Sequence, residues 1–192
     1  MKLFYQDLIH HLKQTKGIVA IDGRCGSGKT ELARFLQREL GCPVIHMDDY
    51  YTPIYQRPEN WMDIPFANMD IERIEKEVLI PAFENREGKT RSYSHHVDAY
   101  SQWEEFVMKD LLLLEGSYSL HPDLRKYYAD TVFLTCSKQV QFERLLKREQ
   151  DNIVDFENFW IPMEEKYFKE YQVESYAHWK YNTDTLMKEE QR

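Results

Sequence analysis

Apolar residues fall along the chain in two kinds of pattern, periodic stripes and short continuous runs. Phe4, Leu8 and Leu12 recur at helical spacing, and Gly17 closes that stretch before the apolar run 18–21. A helix and then a strand are predicted. Leu32, Phe35, Leu36 and Leu40 mark one face of a second helix, which Gly41 can terminate, and 43–47 reads as a short second strand. From Asp48 to Asn68 the chain is polar, aromatic and proline-bearing without a clean period, as a long functional loop would be. Ile71, Ile74, Val78, Leu79 and Phe83 restore a helical stripe, broken near Pro81 and closed around Gly88, and 90–103 reads as a hairpin. The runs 111–114 and 131–136 are continuous, as expected of strands buried on both faces. Between them 121–128 is short and helical. After them 138–148 is a helix with Val140, Leu145 and Leu146 apolar, and a fifth strand is expected near 177–181. Strands alternating with helices predict an open α/β sheet with right-handed crossovers, whose ligands sit beyond the carboxyl ends of the strands.

Length and charge narrow this picture. The 192 residues suit a single domain, 1–192, able to bury a core without staples. Lys and Arg number 25 against 33 Asp and Glu, a net charge of −8, which argues against a broad nucleic-acid footprint and makes any phosphate site local. Apolar runs such as 111–114 fall far below the roughly 20 residues that span a bilayer, so no membrane partner is expected. Lys2, Asp7, His10 and His11 interrupt the start of the chain, which therefore lacks a signal-peptide core. Cys25, Cys42 and Cys136 form no C-x-x-C pair or even framework, which suggests reduced thiols and a cytoplasmic setting.

The sharpest chemical signal is Gly23-Arg24-Cys25-Gly26-Ser27-Gly28-Lys29-Thr30, a G-x-x-x-x-G-K-[ST] loop lying between a predicted strand and a predicted helix. Its glycines let successive backbone N–H groups wrap a polyphosphate, Lys29 reaches the β and γ phosphates of ATP, and Thr30 offers Mg²⁺ a hydroxyl. Asp48-Asp49 follows the second strand and should face this loop; a carboxylate there could take the proton of an attacking hydroxyl or hold Mg²⁺ through water. Glu115 ends the most hydrophobic strand, where Mg²⁺ or its water shell is the natural partner for a carboxylate. Arg144 and Arg148 stand four apart on one helical face and could close over a transferring phosphate. Tyr51, Tyr93 and His95, with neighbouring aromatic residues, offer flat faces and polar groups suited to a ring and a sugar. His95-His96 is not read as a metal site, because adjacent histidines on a strand point to opposite faces.

Together the 23–30 loop, Met47-Asp48-Asp49-Tyr50-Tyr51, Leu114-Glu115-Gly116 and the 144–148 stretch resemble the uridine kinase family, in the wider phosphoribulokinase and uridine kinase group. The resemblance implies a P-loop NTPase fold with a five-stranded parallel sheet in order 2-3-1-4-5, helices on both faces, and a helical lid over about 138–165. It implies Asp48 as catalytic base, Glu115 and Thr30 at Mg²⁺, Arg144 and Arg148 on the lid, and an acceptor-side Asp at Asp63. The expected activity is transfer of the γ-phosphate of ATP to a hydroxyl of a small molecule, a nucleoside such as uridine or cytidine. Pantothenate, a sugar phosphate or a pyridine riboside are alternative acceptors, and a nucleotide-dependent switch is the alternative outside kinases. Tyr93-Ser94-His95-His96 matches the family's nucleoside-contact segment only loosely. A homo-oligomer is left open.

Overall fold

The computed structural model describes residues 1–94 and 97–186, apart from the side chain of Asp151. Five parallel strands form the central sheet: β1 (Gly17–Gly23), β2 (Val44–His46), β7 (Leu111–Glu115), β8 (Tyr128–Thr135) and β9 (Trp179–Asn182). They lie in the order β2-β7-β1-β8-β9, which is the expected 2-3-1-4-5. The most apolar strands are central. Residues 18–21 of β1 pair with Leu112 to Glu115 on one side and reach Val132 on the other. Both faces of these strands are covered, which is why their sequences are continuous rather than alternating.

On one face Ile18, Ala20, Leu112, Leu114 and Phe133 pack against Ile74, Val78, Leu79, Tyr167 and Phe168. On the other, Val19, Ile21, Leu113, Val132 and Leu134 meet α1 (Gln6–Leu12) and α2 (Lys29–Leu40) through Leu8, Leu12, Leu32 and Leu36. Gly41 ends α2 in the left-handed conformation at φ 64°, with its N–H on Gln37 O. The stripe 71–83 forms one helical stretch, α3 (Ile71–Ile74) and α4 (Ile80–Asn85) joined by a π-helical turn at Glu75–Leu79. Pro81 comes just after the π-helical turn, and the helical stretch continues through it to Asn85.

The expected hairpin is two small ladders, β3 (Glu87–Thr90) with β6 (Glu104–Val107) and, nested between them, β4 (Tyr93–Ser94) with β5 (Ala99–Tyr100). The segment 121–128 is a 3₁₀ helix at Pro122–Tyr127. Beyond β8 come α5 (Lys138–Glu149), α6 (Ile153–Asp155), α7 (Ile161–Glu170) and α8 (Val173–Tyr176). Among the described residues no helix is long and apolar enough to cross a membrane.

Candidate active site

The carboxyl end of β1 turns into the loop at Gly23, whose φ is +139° and whose hypothetical Cβ would stand 2.0 Å from the carbonyl oxygen of Leu134. Only glycine fits there. Gly26 (φ 74°) and Gly28 (φ 95°) continue the wrap, and Gly28 is the N-cap of α2, so the loop's amides and the positive end of a twelve-residue helix face one volume. The Lys29 ammonium donates to Gly23 O at 2.6 Å and Arg24 O at 3.2 Å and so lies across the loop.

The loop is braced from two helices. From α5, Gln141 Nε2 donates to Cys25 O at 3.0 Å and Arg144 Nη1 to Gly26 O at 3.0 Å. From α7, Glu165 takes Arg24 in a bidentate pair at 2.5 and 3.0 Å, and Glu164 Oε2 accepts the Cys25 N–H at 2.9 Å. Beneath the loop Asp22 is fully buried and accepts from the N–H groups of Gly23 (2.7 Å) and Leu120 (2.9 Å) and from the Tyr167 hydroxyl (2.9 Å). Burial pushes its carboxyl up to about 6, opposed by the Lys29 charge and these hydrogen bonds.

Glu115 ends β7 with 4% of its surface exposed. Its carboxylate accepts from Thr30 Oγ1 at 3.2 and 3.4 Å and lies 2.5 Å from His46 Nδ1. That bond raises the His46 pKa, with burial opposing and the charge of Glu115 adding to it. After β2 the chain makes one 3₁₀ turn, Met47–Tyr50. This turn sends the two adjacent aspartates different ways. Asp48 is exposed on the cavity wall and its Oδ1 accepts from the Tyr51 hydroxyl at 3.2 Å. Asp49 is half-buried off that wall, and burial raises its carboxyl, partly offset by the charge of His46.

A cavity of about 620 Å³ joins these parts. Loop residues 25–30, Asp48, Tyr51, Glu115, Arg144 and Arg148 all line it. Toward the chain termini its wall is Met1, Tyr5, Thr183 and Leu186; elsewhere it is Asn68, Ser117, Tyr118, Trp160 and Glu164. Glu115 and Thr30 are the oxygen donors that would hold Mg²⁺ alongside phosphate oxygens and water, a set that suits a hard cation. Among the described residues no group of three or more His, Cys, Asp or Glu side chains is arranged to hold a metal.

Several expectations change here. Asp63 is exposed, off the cavity wall, and its backbone oxygen accepts from the Lys166 ammonium at 2.5 Å. Tyr93 is also off the wall, its hydroxyl turned to Asp98 inside the β4–β5 turn. Asp63 was placed by likeness to a family and Tyr93 by its ring and hydroxyl, and the 48–68 loop and the small ladders carry both off the cavity wall. His95 lies outside the described residues. Arg144 is less a lid than a brace, since its guanidinium also donates to Thr183 Oγ1 (2.9 Å) and O (2.7 Å). Arg148 is more exposed, paired with Glu149 at 2.5 Å beside the Phe156 ring. Asp22, His46, Tyr118, Glu164 and Thr183 were not expected at the site. Asp22 alone left a trace in the sequence, as a carboxylate directly after the apolar run of β1.

The sequence profile of the AAA domain matches residues 19–160, which span β1, the phosphate loop, β7 and α5. The chain belongs to the AAA domain family. No curated protein matches the sequence. Among solved structures, this AAA domain is similar to a possible uridine kinase from Bacillus stearothermophilus, with a TM-score of 0.67 and 22% identity over 94% of this chain and 100% of that one. It is also similar to a candidate fructose transport system kinase from Silicibacter sp. TM1040, with a TM-score of 0.59 and 18% identity over 79% of this chain and 83% of that one. At these identities the likeness carries the fold alone, an α/β P-loop NTPase with a five-stranded parallel sheet.

Proposed function

We propose that the protein is an ATP-dependent kinase that phosphorylates a hydroxyl of a small molecule, most simply a nucleoside or a nucleoside-like polyol. The observation that carries this is one cavity whose wall holds both the phosphate loop and the Asp48 carboxylate, with room for a nucleotide and a small acceptor together. A switch that only binds nucleotide has no need of a base facing the phosphates across such a volume.

In this reading the loop amides and the N-terminus of α2 bind the polyphosphate, and Lys29 leaves its two carbonyl partners to neutralise the β and γ phosphates. Met1, Tyr5 and Leu186 supply apolar surface for the base. Mg²⁺, when bound, supplies charge neutralisation on the phosphate oxygens. Thr30 and Glu115 would hold it, and His46, bonded to Glu115, would keep that carboxylate oriented. The acceptor hydroxyl oxygen forms a bond to the γ-phosphorus while the bond from that phosphorus to the β–γ bridging oxygen breaks, and the hydroxyl proton passes to Asp48. Arg148 meets the charge that develops on the transferring group.

The basic residues that a phosphorylated acceptor would need are engaged elsewhere. Arg73 donates to Asp49 O at 2.6 Å and Arg86 to Lys109 O at 2.9 Å, Arg57 stacks on Trp61 at 4.7 Å, and Arg91 stacks on Trp103 at 4.3 Å. None of the four lines the cavity, which favours an uncharged acceptor over a sugar phosphate. Acceptor-dependent ADP release across a panel of nucleosides, sugars and pantothenate tests the proposal. Slow ATP hydrolysis that no acceptor stimulates would favour the switch.

A further inference from the structure

Two buried polar side chains on the cavity wall have hydrogen-bonding capacity beyond what bracing the phosphate loop uses. Tyr118 follows β7 with φ +72°, a left-handed conformation that an aromatic residue adopts only at a cost. This backbone places a side chain that is 3% exposed on the cavity wall, and its hydroxyl has no hydrogen-bond partner. Leaving a phenol buried and unpaired is unfavourable, so the site has unfinished hydrogen bonding. Next to it stands Glu164 of α7, 5% exposed, with Oε2 on the Cys25 N–H at 2.9 Å and Oε1 accepting from Ser117 Oγ at 2.5 Å. Burial first, and then the nearby Glu164 charge, push the Tyr118 phenol well above its ordinary value, so it keeps its proton and can donate.

The pair is complementary to one kind of group. A phenol O–H donates, and a carboxylate only accepts. An alcohol hydroxyl does both at once, whereas a phosphate or carboxylate on the ligand would meet the Glu164 charge in a poorly hydrated site. Asp48, on the same wall, is assigned to the hydroxyl that reacts.

We propose that Glu164 and Tyr118 form a specificity subsite for a second, non-reacting hydroxyl of the acceptor, which selects an unphosphorylated polyol such as a ribonucleoside or sugar and rejects its anionic relatives. This inference rests on the kinase reading and names its substrate class. The subsite accounts for the unpaired phenol and for the strained backbone that carries it.

The test uses the full chain with Mg²⁺ and ADP and a panel of ribonucleosides, pentoses and hexitols, together with the phosphate monoester and one deoxy analogue of each. Equilibrium binding is measured separately from ADP release. The tightest-binding polyol should lose affinity by about tenfold or more in both Glu164→Gln and Tyr118→Phe, with ADP affinity unchanged in Tyr118→Phe, whose hydroxyl braces no part of the phosphate loop. The matching deoxy analogue should bind wild type and variants alike, and the monoesters should bind more weakly than their parents. Tyr118→Phe should also keep or raise Tm, since its hydroxyl has no bond to lose, and a lower Tm would overturn the reading of Tyr118. Unchanged polyol affinity in both variants, tighter monoester binding, or no binding anywhere in the panel overturns the subsite. Polyol binding that never yields acceptor-dependent ADP overturns the kinase reading and leaves the subsite standing. Turnover that neither variant alters does the reverse.

Discussion

Asp48 and Asp49 are neighbours in sequence with opposite surroundings, and this makes them a controlled experiment. Asp48 is exposed on the cavity wall, and the bond it accepts from Tyr51 at 3.2 Å can be kept by an amide oxygen. Asp48→Asn should therefore change stability by no more than about 0.5 kcal/mol, as for an exposed position without special backbone geometry. What it removes is the proton acceptor. General-base catalysis is worth on the order of 10² to 10⁴ in rate, or about 2.7 to 5.5 kcal/mol of barrier, so kcat for the acceptor should fall by that factor. Loss of a negative charge facing the phosphates leaves Mg-ATP affinity equal or slightly tighter. Asp49 is off the wall and half-buried, and Asp49→Asn should leave turnover within roughly threefold of wild type. The assay is single-turnover transfer from ATP with saturating acceptor, beside calorimetric titration of nucleotide. If Asp49→Asn loses turnover and Asp48→Asn keeps it, with nucleotide binding intact in both, the placement of the base is wrong.

The two arginines of α5 should now separate. Arg144→Ala removes donors to Gly26 O and to both oxygens of Thr183, so it should lower Tm and weaken nucleotide binding; Arg148→Ala should lower kcat while sparing both, and equal effects would refute the distinction. For Asp22 the folded-state carboxyl stands at about 6 against its ordinary 3.8, so the folded chain holds the extra proton in that window and stability falls as pH rises through it. Relative to Asp22→Asn, wild type should lose about 2 kcal/mol between about pH 4 and pH 7, read by urea denaturation, and a flat difference would refute the burial argument. Gly23→Ala should cost at least about 3 kcal/mol, because its Cβ would stand 2.0 Å from the backbone oxygen of Leu134, whereas Gly28→Ala meets nothing within 4 Å and should cost about 1 to 2 kcal/mol of backbone strain. Equal urea midpoints for the two glycine variants would show that the β1–β8 contact yields more easily than its geometry implies.

Local chemistry determined much of this protein. The runs 18–21, 111–114 and 131–136 had to be strands covered on both faces, and a G-x-x-x-x-G-K-T segment leaving such a strand had to present amides at a helix N-terminus. Placement at the carboxyl ends of adjacent parallel strands follows from topology, which is why Asp48 and Glu115 were legible as partners of the loop. The acceptor side was not. Asp63 was chosen by likeness to a family and Tyr93 for its ring and hydroxyl, but the path of such segments depends on contacts such as Lys166 with the Asp63 carbonyl and Tyr93 with Asp98, which no local pattern encodes. Glu164 reads in sequence as one more acidic residue on an amphipathic helix, and only the packing of α7 against the phosphate loop, 139 residues away along the chain, makes it a partner of the Cys25 amide. Arg144 shows the same division: helical spacing put it on one face with Arg148, and the position of Thr183 after the last strand turned it into a brace. Periodicity and motif report what a segment is and which end of a strand it leaves. Which side chains share a cavity is decided by contacts between segments far apart in sequence, whose energies exist only once the sheet has assembled.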